Sequence, residues 1–258
     1  MRNLTFLGTC SGTEPMPNTH HTSWVLTVDG TNYWFDAGES CSHTAYTSGI
    51  DVTQVRAVFI SHMHIDHIGG LPNLIFTMNK VVRTKNLPFN NGGVLDLYLP
   101  DERMLDAVLR MASYSRSEKA CPVRVESHEV ADGLVFEDER IRVTALHNRH
   151  VGDDGTNGWH SFSYLIETDG KRILYSVDVK SPTEFEPLIG EGVDLLIMET
   201  GHHKVTDILD FTKAHKIRRL LFNHHGREIL SDREAAAEKI RESGISAAIC
   251  YDGMIEKL

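Results

Sequence analysis

Three histidines and an aspartate fall within six consecutive positions of this chain, directly after an apolar run. Residues two apart on an extended backbone point the same way, so His62 and His64 can bind one metal ion together. Asp66 and His67 follow where the chain should turn into a helix, so they face a second position. A hydrophobic core needs no such cluster. The segment therefore predicts a two-metal site with imidazole and carboxylate ligands.

The composition indicates a globular chain with an acidic surface. Of its 258 residues 41% are hydrophobic, and 26 lysines and arginines stand against 36 aspartates and glutamates, for a formal net charge of −10. This balance argues against a surface built wholly to hold nucleic acid. No apolar run approaches the roughly 18–20 residues that span a bilayer, and the first residues lack a signal-peptide pattern. Because the four cysteines are also widely spaced, we expect a cytoplasmic protein that makes no contact with a membrane.

No repeat, low-complexity tract or linker divides the sequence, so we expect a single domain over residues 1–258. Strands with a hairpin turn at Asp29-Gly30 are followed by helices over Leu71–Val82 and Asp101–Ser113. The second half repeats this order, with a hairpin turn at Asp169-Gly170. Two such halves predict an α/β fold, a four-layer αββα sandwich. The other predicted strands are Leu4–Leu7, Trp24–Val28, Asn32–Phe35, Val55–Ile60, Val123–Ser127, Ile141–Leu146, Ser161–Ile166, Arg172–Val177, Asp194–Met198, Arg219–Phe222 and Ala247–Tyr251, and the other helices are Thr206–Ala214 and Asp232–Ser243.

The pattern His-x-His-x-Asp-His, between an apolar strand and a Gly-Gly helix start, resembles the signature of the metallo-β-lactamase superfamily of hydrolases. The early turn Gly8-Thr9-Cys10-Ser11-Gly12 and the strand end Asp36-Ala37-Gly38-Glu39 are similar to further motifs of that family. The resemblance implies the metallo-β-lactamase fold. Within the superfamily, the motif pattern of this sequence is most similar to that of the ribonuclease Z and cyclic phosphodiesterase branch. Asp36 would then accept the second ring N–H of a metal-bound histidine, whereas an ordinary turn residue is the alternative.

The resemblance also implies the remaining metal ligands. The third motif offers His147 or His150, and His150 matches the ligand position a few residues after a strand. Asp178 closes a Tyr-Ser-x-Asp strand, and its two oxygens can bridge two metals roughly 3.5–4 Å apart. His224 matches the fifth motif, and for its neighbour His225 we expect a surface role. The implied ligands are His62, His64 and His150 on one metal, Asp66, His67 and His224 on the other, and Asp178 between them.

Nitrogen and oxygen ligands of this kind suit two Zn²⁺ ions, with Mn²⁺ or iron as alternatives. The cluster Glu199-Thr200-Gly201-His202-His203 is similar to one in phosphodiesterase members, where a histidine supported by a carboxylate protonates the leaving oxygen. By this resemblance His202, or alternatively His203, is the general acid and Glu199 its support. A loop of solvated histidines is the competing interpretation. Asp66 and Asp178 would orient the water that attacks phosphorus.

The implied activity is that of a phosphodiesterase acting on RNA or a small cyclic phosphodiester, and the implied assembly is a homodimer. Three features depart from tRNA-processing relatives: a basic insert is missing, Met198-Glu199-Thr200-Gly201 replaces the branch's His-Glu-Ala-Thr, and the net charge is negative. A carboxyl-ester, lactone or lactam hydrolase is the alternative. A redox protein on the same fold is a further one, although such members replace the histidine equivalent to His64 with glutamate. Six late basic residues, which form either a phosphate patch or a solvated face, are Lys204, Lys213, Lys216, Arg218, Arg219 and Arg227.

Overall fold

The computed structural model describes residues 2–113, 121–151 and 158–258, in which two seven-stranded sheets carry helices. The predicted α/β class with two sheets is confirmed. Within these ranges, no helix combines the length and the apolar character that crossing a membrane requires. The chain divides into two compact units, the first containing Met1–Gly8, Pro15–Glu129 and Asp252–Leu258 and the second containing Thr9–Glu14 and Val130–Tyr251.

The sheet of the first unit is antiparallel on one side and parallel on the other. Its strands, in spatial order, are β14 (Ile255–Lys257), β1 (Arg2–Gly8), β2 (Ser23–Val28), β3 (Thr31–Phe35), β4 (Val55–Phe59), β5 (Val94–Leu99) and β6 (Arg124–Glu129). The strands from β14 to β3 pair antiparallel, and those from β3 to β6 pair parallel. The predicted turn between β2 and β3 is present, because Asp29 and Gly30 adopt the positive φ angles, 48° and 86°, of a type I′ turn.

Helices cover one face of this sheet. They are α1 (Cys41–Thr47), α2 (Ile65–Ile68), α3 (Leu71–Lys85), α4 (Asn90–Gly93) and α5 (Leu105–Ser113). Met78 of α3 and Val108 of α5 are buried in one apolar cluster with Val58 and Leu97 from the strands. Asp101 accepts a hydrogen bond from the backbone N–H of Arg103 at 2.9 Å, as expected of a cap, but it caps a short 3₁₀ turn that precedes α5.

The second sheet mirrors this plan. Its strands, in spatial order, are β13 (Ala247–Ile249), β12 (Leu220–Asn223), β11 (Leu195–Glu199), β10 (Lys171–Tyr175), β9 (Phe162–Thr168), β8 (Arg142–His147) and β7 (Gly133–Glu137). Strands β13 to β10 are parallel, and β10 to β7 are antiparallel. Ile208 and Ile240 are buried against Leu196 and Phe222 of the sheet. The helices that cover it are α6 (Glu186–Ile189), α7 (Val205–Ala214), α8 (Arg227–Ser231) and α9 (Arg233–Ser243).

The residues predicted to be functional lie at the carboxyl ends of parallel strands. In the first unit Asp36 follows β3, and His62 lies three positions after β4. In the second unit Asp178 follows β10, Glu199 ends β11 and His224 follows β12. Carboxyl ends of parallel strands meet at one edge of a sheet, where open α/β sheets place their ligand-binding loops. The topology therefore gathers the chemical groups of each unit at one edge of its sheet.

A row of stacked aromatic rings crosses the first sheet. The rings of Trp24, Phe35, Phe59 and Tyr98 follow one another at centroid separations of 4.3, 4.9 and 4.8 Å, with planes within 18° of parallel. They alternate along their strands with the residues that pack against the helices, because successive strand residues point to opposite faces. The first three rings are fully buried. The row thus fastens neighbouring strands to one another on the second face of the sheet.

Replacing the ring at the centre of this row should cost much of the stability of the first unit. Phe35→Ala is expected to lower the free energy of unfolding by about 3–5 kcal/mol, because it removes a buried ring and leaves a cavity. Urea unfolding followed by circular dichroism measures this loss. Tyr46→Ala, which removes an aromatic side chain that is 47% exposed, is the matched control and should cost less than about 1 kcal/mol. Equal losses in the two variants would contradict the importance of the row.

Candidate metal ligands

The four clustered candidate ligands of the first unit lie where a strand turns into a short helix. His62 and His64 lie on extended backbone after β4, and His62 Nε2 is 3.0 Å from His64 Nδ1. Asp66 and His67 lie on the short helix α2, where His67 Nε2 is 3.5 Å from Asp66 Oδ2. His62 and His67 are fully buried. The turn from strand to helix therefore lies between His64 and Asp66, with two candidate ligands on each side of it.

A buried carboxylate, that of Asp36, forms hydrogen bonds with the segment that carries the clustered histidines. Asp36 is fully buried, and its Oδ2 accepts a hydrogen bond from His67 Nδ1 at 2.9 Å. This bond leaves Nε2 of His67 as the nitrogen that can bind a metal. Asp36 is thus the carboxylate that accepts the ring N–H of a clustered histidine, as the resemblance implies, and not an ordinary turn residue. A Cβ added to Gly38 would lie 2.6 Å from the backbone oxygen of Asp66, so only glycine allows the two loops to approach this closely.

Sequence reasoning missed the role of Ser61. Its backbone N–H and its hydroxyl both donate to Asp36, at 2.7 and 2.9 Å. Its Oγ also lies 3.0 Å from His62 Nδ1, where it can accept the ring N–H of that histidine. Ser61 therefore orients His62 as Asp36 orients His67. The signal in the sequence was a hydroxyl residue at the end of a buried strand, which is too common to single out.

In the second unit, Asp178 lies between two histidines. Its Oδ2 is 3.5 Å from His150 Nε2, and its Oδ1 is 3.3 Å from His224 Nε2. Asp178 and His224 are each 2% exposed. His147 faces elsewhere, since its Nδ1 donates to Asp132 at 2.6 Å. Of the two candidates in the third motif, the structure therefore brings His150, and not His147, to Asp178.

His225 is buried, so the expectation of a surface role is wrong. Its backbone N–H donates to the carbonyl of Thr9 at 2.7 Å, and its Nε2 donates to the carbonyl of Cys250 at 2.8 Å. Burial lowers the pKa of His225 to about 3, so its ring is neutral at physiological pH. These bonds hold the loop that presents His224. Sequence pattern could not reveal this role, because the partners lie far away along the chain.

The Glu199 cluster distinguishes its two histidines. The buried carboxylate of Glu199 accepts from the backbone N–H of His202 at 2.8 Å and lies 3.0 Å from its Nδ1. The side chain of His202 is 45% exposed, and its Nδ1 lies 4.0 Å from Asp178 Oδ2. The side chain of His203 is 12% exposed, with its Nε2 2.9 Å from the carbonyl of Val179. Of the two, His202 is the histidine that a bound molecule can reach.

Most of the late basic residues are paired with acids. Lys216 lies 3.6 Å from Glu191, and Arg218 lies 3.1 Å from Asp194. Lys213 is 3.9 Å from Asp210, and Arg227 donates to Glu14, whose pKa this hydrogen bond lowers to about 2. Neighbouring carboxylates offset these positive charges. The arrangement favours the interpretation as a solvated face over that as a phosphate patch.

The side chains gathered in each unit suit a divalent metal. They offer imidazole nitrogens and carboxylate oxygens, the ligands that zinc, manganese and iron accept. In the second unit alone, ligand atoms of His150, Asp178 and His202 lie within 4.8 Å of one another. The buried carboxylates also carry charge that a cation would offset. The residues present therefore fit a divalent metal site.

Three known proteins show what this chain is similar to. The ribonuclease Z of Methanothermobacter thermautotrophicus is 32% identical over 152 residues, which are 58% of this chain and 45% of that protein. The chain thus spans less than half of that relative's length. The crystal structure of the human short-form tRNase Z (ELAC1) matches with a TM-score of 0.70 at 21% identity, covering 99% of this chain and 98% of that one. The metallo-β-lactamase fold protein YhfI from Bacillus subtilis matches with a TM-score of 0.77 at 16% identity, with the same two coverages.

These matches confirm the resemblance to the metallo-β-lactamase superfamily and its ribonuclease Z branch, and at such low identities the two structures show the fold. A family model described as Anti-Pycsar protein Apyc1 matches residues 2–204, which include both the clustered histidines and Glu199. This match covers most of the 258 residues of the chain, and the chain therefore belongs to the Anti-Pycsar protein Apyc1 family.

Proposed function

We propose that this chain is a metal-dependent phosphodiesterase with two metal ions. The observation that carries the proposal is the position of Asp178, whose two oxygens each face a different imidazole, so that this carboxylate would be available to two metal ions. The paired ligands of the first unit complete the set. The proposed ligands are His62, His64 and His150 for one metal, Asp66, His67 and His224 for the other, and Asp178 for both.

Zinc is the metal that we propose. Five of the seven ligands are imidazoles and two are carboxylates, a set that suits Zn²⁺ and leaves Mn²⁺ and iron as alternatives. The bound metals would supply hydroxide at neutral pH and offset the negative charge that grows on phosphorus. Asp66 and Asp178 orient the attacking water. Asp36 and Ser61 keep His67 and His62 in the tautomer that presents Nε2.

His202 is the proposed general acid. Glu199 accepts a hydrogen bond from Nδ1–H of His202, so the proton for the leaving oxygen is carried on Nε2. Exposure of His202 allows a substrate to reach that nitrogen. The Nε2 of His203 is instead engaged with the carbonyl of Val179, so His203 is the poorer candidate for the general acid. Glu199 is a positioning residue in this scheme, because it acts through His202.

The substrate is proposed to be RNA or a small cyclic phosphodiester. The relative named ribonuclease Z and the Glu199–His202 pair support a phosphodiester. Pairing of the late basic residues with acids supports a small phosphodiester over a long RNA, because long RNA binding depends on unpaired basic charge. A homodimer in the cytoplasm stays a prediction from the resemblance. Sedimentation velocity tests the assembly against the 29.0 kDa of one chain.

Loss of the bridging carboxylate should remove both metal and activity. We expect two zinc ions per chain by elemental analysis and turnover of bis(p-nitrophenyl) phosphate, and more than a 100-fold loss of kcat/KM with less bound zinc in Asp178→Ala. Asp210→Ala, which removes an 80% exposed carboxylate, is the control and should keep both properties. Turnover of a lactone or of nitrocefin, with none of the phosphodiester, would contradict the proposed substrate class.

The general acid can be identified by varying the leaving group. His202→Ala should lower kcat by about 10²–10⁴ for a substrate that expels an alkoxide, because that oxygen needs a proton. The loss should be far smaller for p-nitrophenolate, which leaves without one. His203→Ala is the matched control and should show no such dependence. A loss of equal size for both leaving groups in His202→Ala would show that His202 does not act as the acid.

Asp36 should affect metal affinity without touching the metal. Asp36→Asn weakens the acceptor for His67 Nδ1, so zinc affinity should fall about 10- to 100-fold. Competition with a chromophoric chelator measures this affinity. Asp106→Asn, at a carboxyl that is 74% exposed, is the control. Unchanged zinc affinity in a folded Asp36→Asn protein would rule out the supporting role.

A further inference from the structure

A polar cavity of about 320 Å³ opens in the second unit beside the loop that carries His150. Two segments form its walls, one before His150 and one after Asp178. Its volume lies at the lower end of the range for small-molecule pockets. None of the proposed catalytic steps uses the residues that line it, which are His147, Asn148, Arg149, Ser181, Thr183 and Glu184.

Both walls lead directly to proposed metal ligands. Arg149 immediately precedes His150, and Ser181 follows Asp178 by three positions. Glu184 ties the two walls together, because its Oε2 accepts from the backbone N–H groups of Arg149, at 3.4 Å, and Lys180, at 3.2 Å. Each wall is therefore continuous in sequence with one residue of the pair His150 and Asp178, whose Nε2 and Oδ2 are 3.5 Å apart.

One wall is held in a fixed orientation by two contacts. Asp132 accepts from both the backbone N–H and the Nδ1 of His147, each at 2.6 Å. The ring of His147 also stacks on Trp159, with centroids 4.0 Å apart and planes 14° from parallel. Trp159 is 42% exposed. Neither contact involves a proposed metal ligand.

The lining offers both hydrogen-bond donors and acceptors. Arg149 supplies a guanidinium, and the hydroxyls of Ser181 and Thr183 lie 2.8 Å from each other. The second oxygen of Glu184, Oε1, accepts no hydrogen bond from the described residues. Sugar hydroxyls both donate and accept, and a carboxylate is a frequent partner of a ribose 2′-hydroxyl. The mixed lining matches this chemistry better than it matches a bare anion.

We propose that this cavity binds the ribose of the group attached to the scissile phosphate, with Thr183 and Glu184 contacting its hydroxyls. The inference rests on the proposed phosphodiesterase function and adds to it a preference for ribose over deoxyribose. The ribose can come from a cyclic nucleotide or from an RNA chain. A water that attacks phosphorus needs no 2′-hydroxyl, so a ribose preference reports recognition rather than chemistry.

The test compares kcat/KM for ribose and 2′-deoxyribose forms of a 3′,5′-cyclic nucleotide and of a dinucleotide. In at least one pair, kcat/KM of the zinc-loaded chain should be about tenfold higher for the ribose form. This factor corresponds to the contribution of one hydrogen bond to a charged group. Thr183→Val and Glu184→Gln should each reduce this ratio several-fold. Because the ratio compares two substrates of the same variant, a general loss of folded protein or of bound metal lowers both kcat/KM values equally and leaves the ratio unchanged. The pair that shows the preference identifies the source of the ribose.

Thr84→Val is the matched control, because Thr84 is exposed on α3 and its hydroxyl donates to the carbonyl of Lys80 in the same helix. It should leave the ratio unchanged. A ratio near one in both pairs, or a ratio that neither cavity variant alters, would overturn the proposed ribose subsite. Turnover of bis(p-nitrophenyl) phosphate in the same protein would show that the proposed phosphodiesterase function still holds. If that turnover is absent, calorimetry with ribonucleoside and deoxyribonucleoside monophosphates tests the cavity alone, and equal affinities would overturn it.

Discussion

A buried carboxylate paired with imidazoles organises each unit of this protein. A charge taken out of water is tolerated only when it is paired and hydrogen-bonded, because its desolvation is otherwise too costly. Asp36 meets this condition through two bonds from Ser61 and one from His67. Asp178 is flanked by His150 and His224, whose Nε2 atoms lie 3.5 and 3.3 Å from its two oxygens. Moving any of these histidines would leave a buried charge poorly paired, so the same interactions stabilise the loops and hold the proposed metal ligands in place.

The backbone is strained at the points where strands turn into these loops. Asp36, Val177 and His224 have φ angles of 55°, 58° and 47°, a region that residues with a Cβ rarely occupy. Val177 is β-branched, which makes its conformation a clear outlier with a cost of about 1–3 kcal/mol. Its neighbour Asp178 and the proposed ligand His224 are thereby placed at the edge of the sheet. The buried bonds of His225 to the carbonyls of Thr9 and Cys250 help to hold this geometry.

Local features could be predicted from the sequence, and features that depend on distant contacts could not. His62 and His64 were predictable because their spacing alone sets their direction on a strand, and both Asp-Gly hairpin turns follow from their own φ preferences. Strand β5 was missed because Asp96 interrupts its apolar pattern, and its carboxylate is paired across the sheet with Arg56 and His128. The burial of His225 depends on partners more than 20 residues away, which no local pattern encodes.

A crystal structure of the zinc-loaded protein tests most directly whether Asp178 bridges two metal ions. Anomalous scattering at the zinc edge locates each ion independently of the protein atoms. The proposed arrangement predicts two peaks about 3.5–4 Å apart, each about 2.0–2.2 Å from one oxygen of Asp178. A single peak, or a second peak with no Asp178 oxygen in reach, would contradict the two-metal mechanism.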